Sequence, residues 1–127
     1  MQEKDLFEYA VIRVIPRVER EEFLNVGVIL YCSAQDFLQT AFELNKERLR
    51  AFACDLNIAE IEEHLFAFEQ ISAGGAKAGT IGKLPLGERF RWLTAPRSTI
   101  VQTSPVHTGL CSDARETLAR LLTKLVR

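Results

Sequence analysis

The sequence predicts an α+β domain in which a small, mostly antiparallel sheet of about four strands carries helices packed on one face. Two observations support this class: strand-like runs precede segments with helical spacing, and strands that directly follow one another favour antiparallel pairing. The chain has 127 residues, of which 47% are hydrophobic and 26% are charged. This length and composition fit one soluble globular domain, so we treat residues 1–127 as a single domain.

Three strands are predicted in the first third of the chain. Residues 7–15 are rich in β-branched and aromatic side chains, and Pro16 ends the run because proline cannot donate to a ladder. A second apolar run at 26–32 contains Gly27, which indicates a bulge or a close approach of two backbones. Residues 37–44 alternate between apolar and polar side chains, as expected of a half-buried strand in a hairpin.

Two helices and a glycine-rich segment follow. Asn45 is placed to cap a short helix, and Asn57 with Glu60 resembles a capping box at the start of a longer one. The longer helix carries an apolar stripe at helical spacing. Residues 74–87 contain most of the glycines of the chain, so we expect a flexible loop there.

The remaining elements are shorter. Residues 88–95 favour a helix that Pro96 ends, and 99–103 are interpreted as the fourth strand. Pro105 and Gly109 indicate a turn over 104–109. A final helix begins after Asp113, because leucines recur there at helical spacing behind an acidic cap.

The N-terminus and the cysteines bear on location. Residues 1–5 are polar and lack the features of a signal peptide, and no apolar stretch approaches the ~20 residues of a membrane span. The three cysteines, Cys32, Cys54 and Cys111, are an odd number in apolar contexts, which is typical of buried thiols. We therefore expect a cytoplasmic protein without a structural disulfide and without contact to a membrane.

The net charge of −1 results from two opposite halves. Residues 1–70 hold 7 basic and 14 acidic groups, whereas residues 71–127 hold 9 basic and 3 acidic groups. Arginine supplies 11 of the 16 basic residues, and its planar guanidinium suits bidentate contacts with anions. An anionic ligand is therefore expected in the second half, whereas the acidic half disfavours a long nucleic-acid duplex.

The basic half has a focus between Glu88 and Asp113, where no acidic residue occurs. Arginine side chains, hydroxyl groups and an imidazole are the groups that bind phosphate or carboxylate, and interleaved aromatic rings permit stacking on a base. Arg17 and Trp92 are candidates for contact with a partner or for stacking. The candidate ligand-binding residues for an anion are Arg13, Arg91, Arg97, Ser98, Thr99 and His107.

Other interpretations of these residues remain open. Trp92 and Phe90 are equally compatible with a core position, with the arginines paired to the acidic half. Arg13 lies in the middle of a predicted strand, where a structural ion pair is favoured over a ligand contact. A nuclease or transferase would need a carboxylate or a metal near the arginines, and residues 89–109 contain no carboxylate.

Metal and nucleophile sites have little support in the spacing of the residues. His107 precedes Cys111 by four residues, but Gly109 argues against a helix there and no ligand spacing such as C-x-x-C occurs. The glycine-rich segment 74–87 matches neither phosphate-loop pattern. We therefore expect no metal and no cofactor, and we interpret His64 as a solvated or half-buried surface histidine.

Three blocks of the sequence, residues 9–30, 90–102 and 104–111, resemble an uncharacterised bacterial family, domain of unknown function 3037. The resemblance covers essentially the whole chain and transfers no catalytic role. It implies a protein partner, because some relatives are encoded beside a HipA-like kinase.

These observations predict an intracellular binding or regulatory module that acts through a protein partner, with the HipA-like kinase as the partner that the resemblance implies. We also predict a patch on this module that binds an anion, a nucleotide or another small phosphate-bearing molecule. The alternative is a phosphate- or nucleotide-dependent enzyme such as a nuclease or transferase.

Overall fold

The computed structural model describes residues 4–16, 22–75, 78–97 and 99–127. A 3₁₀ turn at Ile81–Lys83 precedes the third helix. No helix in these ranges is long and apolar enough to cross a membrane. The strands and helices, in chain order, are β1 (Asp5–Val14), β2 (Leu24–Cys32), β3 (Phe37–Phe42), α1 (Lys46–Phe52), α2 (Ile58–Ala73), α3 (Leu86–Thr94), β4 (Val101–Thr103), β5 (His107–Cys111) and α4 (Ala114–Leu125).

β1 is the central strand of an antiparallel sheet. β2 pairs with one edge of β1, and β3 pairs in turn with β2. The other edge of β1 is shared, because β5 pairs with Asp5–Tyr9 and β4 pairs with Ile12–Val14. Val11 lies between these two pairings. Its N–H donates to the Ser104 hydroxyl and its carbonyl accepts from the Ser104 N–H, each at 2.8 Å, so Ser104 joins the two short strands into one edge.

Helices cover both faces of the sheet. Ile12 and Val14 point into an apolar cluster beneath α2 and α3, where Leu65 and Phe90 are buried. Phe7 points the other way, into a second cluster beneath α4. Because successive side chains of a strand alternate in direction, the largely apolar sequence of β1 contributes to both clusters.

The α+β class and the antiparallel sheet are confirmed, but two details differ from the prediction. The sheet has five strands, and α4 packs on the face opposite α2 and α3. The fifth strand lies where a turn was predicted on the strength of Pro105 and Gly109. In β5, Gly109 is required by packing: a Cβ atom there would lie 2.6 Å from the Phe7 ring on β1.

Several local predictions are confirmed. The side chains of Asn45, Asn57 and Asp113 each accept a hydrogen bond from the N–H three residues later, so all three are N-caps. Gly27 lies beside a register shift between β1 and β2, and a Cβ atom on it would lie 2.8 Å from the carbonyl oxygen of Ala41. The backbones therefore approach each other closely there.

Arg89 ties the end of α2 to the segment that leads into α3. Its side chain is 8% exposed, and Nη1 donates to the carbonyls of Ile71 and Ser72 at 2.9 and 2.8 Å. Nε donates to the carbonyl of Leu84 at 2.9 Å. The last carbonyls of a helix have no partner within the helix and carry the negative end of its dipole, so they suit a guanidinium.

Gly74 makes room for this arrangement. It follows α2 with a φ of +77°, a conformation that favours glycine, and a Cβ atom on it would lie 2.6 Å from Arg89 Nη1. The predicted loop 74–87 also contains the 3₁₀ turn and the start of α3. Residues 76 and 77 lie outside the described residues, and the flexibility of this segment stays a prediction.

We predict that Arg89→Lys lowers the free energy of unfolding by about 3 kcal/mol. An ammonium group cannot reach three separate carbonyls in the geometry of a guanidinium, and each unsatisfied buried carbonyl costs ~1–3 kcal/mol. Urea denaturation measures the change. Arg91→Lys is the matched control, because Arg91 is exposed on the same helix and its variant should stay within about 0.5 kcal/mol of the parent. Equal losses in the two variants would contradict the role of Arg89.

We also predict that Gly74→Ala is more destabilising than Gly79→Ala. Both glycines have positive φ, at +77° and +70°, but a Cβ atom on Gly79 meets nothing within 4 Å. Backbone strain alone costs of order 1–2 kcal/mol, and the collision with Arg89 adds to it at Gly74. Thermal unfolding measures the melting temperatures of the two variants. An equal decrease in both would show that the collision with Arg89 does not destabilise the Gly74 variant.

Candidate functional site

Arg97 reaches back across the end of α3 onto the ring of Trp92. Its guanidinium carbon lies 4.2 Å from the centroid of that ring, and Nη2 donates to the Trp92 carbonyl. The ring of Phe68 on α2 lies 5.9 Å from the same carbon. Pro96 contributes to this geometry, because proline cannot continue the helix and the chain must turn there.

A pocket of 210 Å³ lies beside this guanidinium, between α2, α3 and β4. Its polar side chains are those of Arg97, His64 and Thr99, and Trp92 forms part of the wall. The rest of the lining is apolar, from Ala67, Phe68, Ile71 and Val101. None of these described lining residues is an aspartate or a glutamate.

No described residue that lines the pocket neutralises the charge of Arg97. Burial lowers the pKa of its guanidinium, which means that desolvation disfavours the charged form. Apart from the bond to the Trp92 carbonyl, its N–H groups have no acceptor among the described residues. Thr99 donates its hydroxyl to the Val101 carbonyl at 2.6 Å, so its oxygen can still accept. The arrangement offers guanidinium donors to an anion.

The other residues predicted for the second half of the chain lie differently. Arg91 is exposed on α3 and does not line the pocket. Trp92 is 39% exposed, which makes it a pocket wall rather than a core residue, whereas Phe90 is buried. Ser98 and Arg17 lie outside the described residues.

His107 and Arg13 lie on the opposite face of the sheet from Arg97. His107 pairs with Tyr9 across β5 and β1, with ring centroids 5.3 Å apart. Arg13 lies opposite Asn25, whose amide donates to the Leu125 carbonyl of α4 at 3.1 Å. Of the described residues predicted to bind an anion, Arg97 and Thr99 line one pocket, whereas Arg13, Arg91 and His107 do not line it.

Arg13 is placed against an aromatic ring. Its guanidinium carbon lies 4.0 Å from the centroid of Phe23, a cation–π contact. The buried Nε of Arg13 and the buried Oδ1 of Asn25 have no hydrogen-bond partner among the described residues. One is a donor and the other an acceptor, and they belong to residues that face each other across β1 and β2. This complementarity is consistent with a structural role, and a ligand contact of Arg13 stays a prediction.

The two groups suggested for a nucleophile or a metal also lie apart. His107 and Cys111 stand at opposite ends of β5, roughly 13 Å apart along an extended strand. Burial raises the pKa of the Cys111 thiol, and the neighbouring Cys32 thiol adds to the shift. Cys32 and Cys111 are buried as expected, whereas Cys54 is exposed, and all three are free. No group of three potential metal ligands occurs in the described part of the chain.

Two residues of the pocket were not recognised from the sequence. His64 is partly exposed, as expected, and Phe68 is buried with the apolar stripe of α2, and both also line the pocket. Their i, i+4 spacing on α2 puts them on one side of that helix, which is a usable signal. What the spacing does not reveal is that α3 places Arg97 next to them.

Comparison with known proteins identifies the family of the chain. A family model described as Protein of unknown function (DUF3037) matches residues 9–126, so the chain belongs to this family. No curated protein and no solved structure matches the chain. The family description assigns no activity, so functional inference rests on the geometry of the site.

Proposed function

We propose that this member of the DUF3037 family is a binding module that holds an anionic group of the phosphate type in the Arg97 pocket. One observation carries the proposal: a partly buried guanidinium faces a pocket whose described lining contains no carboxylate. A bound anion would offset the cost of desolvating that charge.

The pocket residues suit a phosphate group chemically. A guanidinium binds a phosphate through two parallel N–H···O bonds, and such charge-assisted bonds are stronger than neutral ones. The Thr99 oxygen accepts from a protonated phosphate oxygen, and the His64 ring supplies a further N–H. Trp92 holds the guanidinium in place by stacking on it at 4.2 Å, which restricts its orientation before the anion arrives.

The partly exposed ring of Trp92 favours a phosphate that is attached to a flat group. Stacking of a base on an aromatic side chain contributes ~1–3 kcal/mol. We therefore expect a nucleoside monophosphate to bind more tightly than inorganic phosphate. A phosphorylated peptide that lacks a flat group should resemble inorganic phosphate, so the two sources of the phosphate are distinguishable.

A protein partner belongs to the same proposal. The resemblance to the family implies a HipA-like kinase, and a module that binds phosphate groups is suited to a partner that transfers them. The support for this partner is the implication of the family resemblance together with the pocket chemistry.

The alternative, a nuclease or transferase, has less support from the pocket. Either reaction requires a group to move a proton or to hold a metal near the phosphate. His64 is the only titratable group besides Arg97 in the described lining, and no carboxylate accompanies it. Binding is therefore the function that the geometry supports best.

We predict that Arg97→Gln weakens the binding of phosphate at least about tenfold. Loss of a charge-assisted hydrogen bond corresponds to ~1.5–3 kcal/mol, which is ten- to about 150-fold in affinity. Isothermal titration calorimetry with inorganic phosphate and with adenosine monophosphate, at constant ionic strength, measures both affinities.

Arg91→Gln is the matched control, because it removes the same charge from an exposed position on α3. Its affinity for both ligands should stay within about twofold of the parent. Absence of binding at millimolar ligand, or an equal loss in the Arg91 and Arg97 variants, would overturn the proposal.

A further inference from the structure

We infer that the solvent-facing side of α2 is a docking surface for an amphipathic helix of a partner protein that carries basic residues beside a narrow apolar stripe. The inference does not depend on anion binding at Arg97. It rests on the distribution of apolar and acidic side chains over α2.

α2 carries an exposed aromatic side chain on the side that faces away from the sheet, in addition to its buried apolar side. Its inner side buries Ile61, Leu65, Phe68 and Ile71 against the sheet. On the outer side, Phe66 is 56% exposed. An exposed aromatic ring of this size can serve as the anchor of a protein contact.

The outer side of α2 presents a stripe of exposed residues and a shallow depression. Exposed residues recur at the spacing i, i+4, i+7, i+8 and i+11, which forms a continuous stripe of about three turns. These residues are Ala59, Glu63, Phe66, Ala67 and Gln70. Phe66 is one of the residues that line a shallow depression of 460 Å³. Alanines on both sides of Phe66 would let a second helix approach closely. The lining of the depression is Ala59, Glu62, Glu63, Phe66, Ala67 and Gln70.

The charge of α2 determines the kind of helix that fits. The helix contains four glutamates, Glu60, Glu62, Glu63 and Glu69, and no lysine or arginine. Glu62 pairs with Lys46 of α1 at 3.3 Å, with both side chains about half exposed. Glu63 borders the depression itself and has no ion-pair partner among the described residues. Lysines or arginines that flank an apolar stripe would complement this rim.

A second copy of the chain is the less suitable occupant. Two copies packed through this depression would bring Glu62 and Glu63 of each copy close together, and like charges across an interface are costly. Helix-in-groove recognition with a basic partner avoids this repulsion and uses Phe66 as the central anchor.

The docking surface adjoins the anion pocket. Ala67 lines both the depression at Phe66 and the pocket at Arg97. One side of the boundary is acidic and the other is cationic, so a partner that spans both would present a basic helix and an anionic group next to each other. This polarity would orient the partner on the surface.

The experiment uses two fluorescent helical peptides of about 18 residues as probes. Both carry leucine at the a and d positions of each heptad, and the flanking e and g positions are lysine in one and glutamate in the other. Fluorescence anisotropy at about 0.1 M salt measures their binding to the whole chain. We expect the lysine peptide to bind at least about tenfold more tightly than the glutamate peptide.

Two variants locate the surface. Phe66→Ser should weaken binding of the lysine peptide at least about tenfold, whereas Leu110→Ser, which replaces another exposed apolar residue at 63% exposure, should leave it unchanged. Both positions are exposed, so both variants should keep the melting temperature of the parent. Arg97→Gln should retain peptide binding, and Phe66→Ser should retain phosphate binding, which separates this inference from the proposed function.

Four results would overturn the inference. These are no binding of either peptide, equal binding of both, equal weakening in the Phe66 and Leu110 variants, and gel filtration that shows a dimer which Phe66→Ser dissociates. The last result would mean that a second copy covers α2.

Discussion

The buried guanidinium of Arg89, whose described partners are all carbonyl groups, joins the helices on one face of this sheet. Arg89 satisfies the last carbonyls of α2 and the carbonyl of Leu84 just before α3. It thereby fixes the end of one helix relative to the start of the next, and Gly74 is the residue that leaves space for it. The Arg97 pocket has one wall from each of these helices, so its shape depends on the same contact.

Three arginines show three ways in which a folded chain accommodates a partly or fully buried cation. Arg89 is surrounded by carbonyls at a helix end, Arg13 lies against the ring of Phe23, and Arg97 lies against Trp92 with an open pocket beside it. Carbonyl oxygens and ring faces stabilise a cation without neutralising it. Arg97 differs because no described residue that lines its pocket is a carboxylate and it donates to one backbone carbonyl, whereas Arg89 donates to three.

Much of the fold could be predicted because its signals are local. The caps at Asn45, Asn57 and Asp113 and the close approach at Gly27 depend on neighbouring residues or on backbone geometry. β5 could not be predicted in this way, because a short strand that contains Gly109 forms only by pairing with β1. Its glycine is needed because the ring of Phe7 leaves no space for a Cβ atom. The same limit applies to the site. The charge pattern indicated the region of Arg97. Only the tertiary packing shows that His107 lies on the other face of the sheet and that His64 lines the pocket beside Arg97.

The separation of roles among the arginines is the central claim, and one titration tests it directly. The Nε–H signals of the arginines in ¹H–¹⁵N NMR spectra can be followed while inorganic phosphate is added at constant ionic strength. We predict that the Arg97 signal moves with saturation, while those of Arg89 and Arg13 stay in place. Movement of the Arg13 signal with a stationary Arg97 signal would assign the anion to the other face of the sheet and contradict this account.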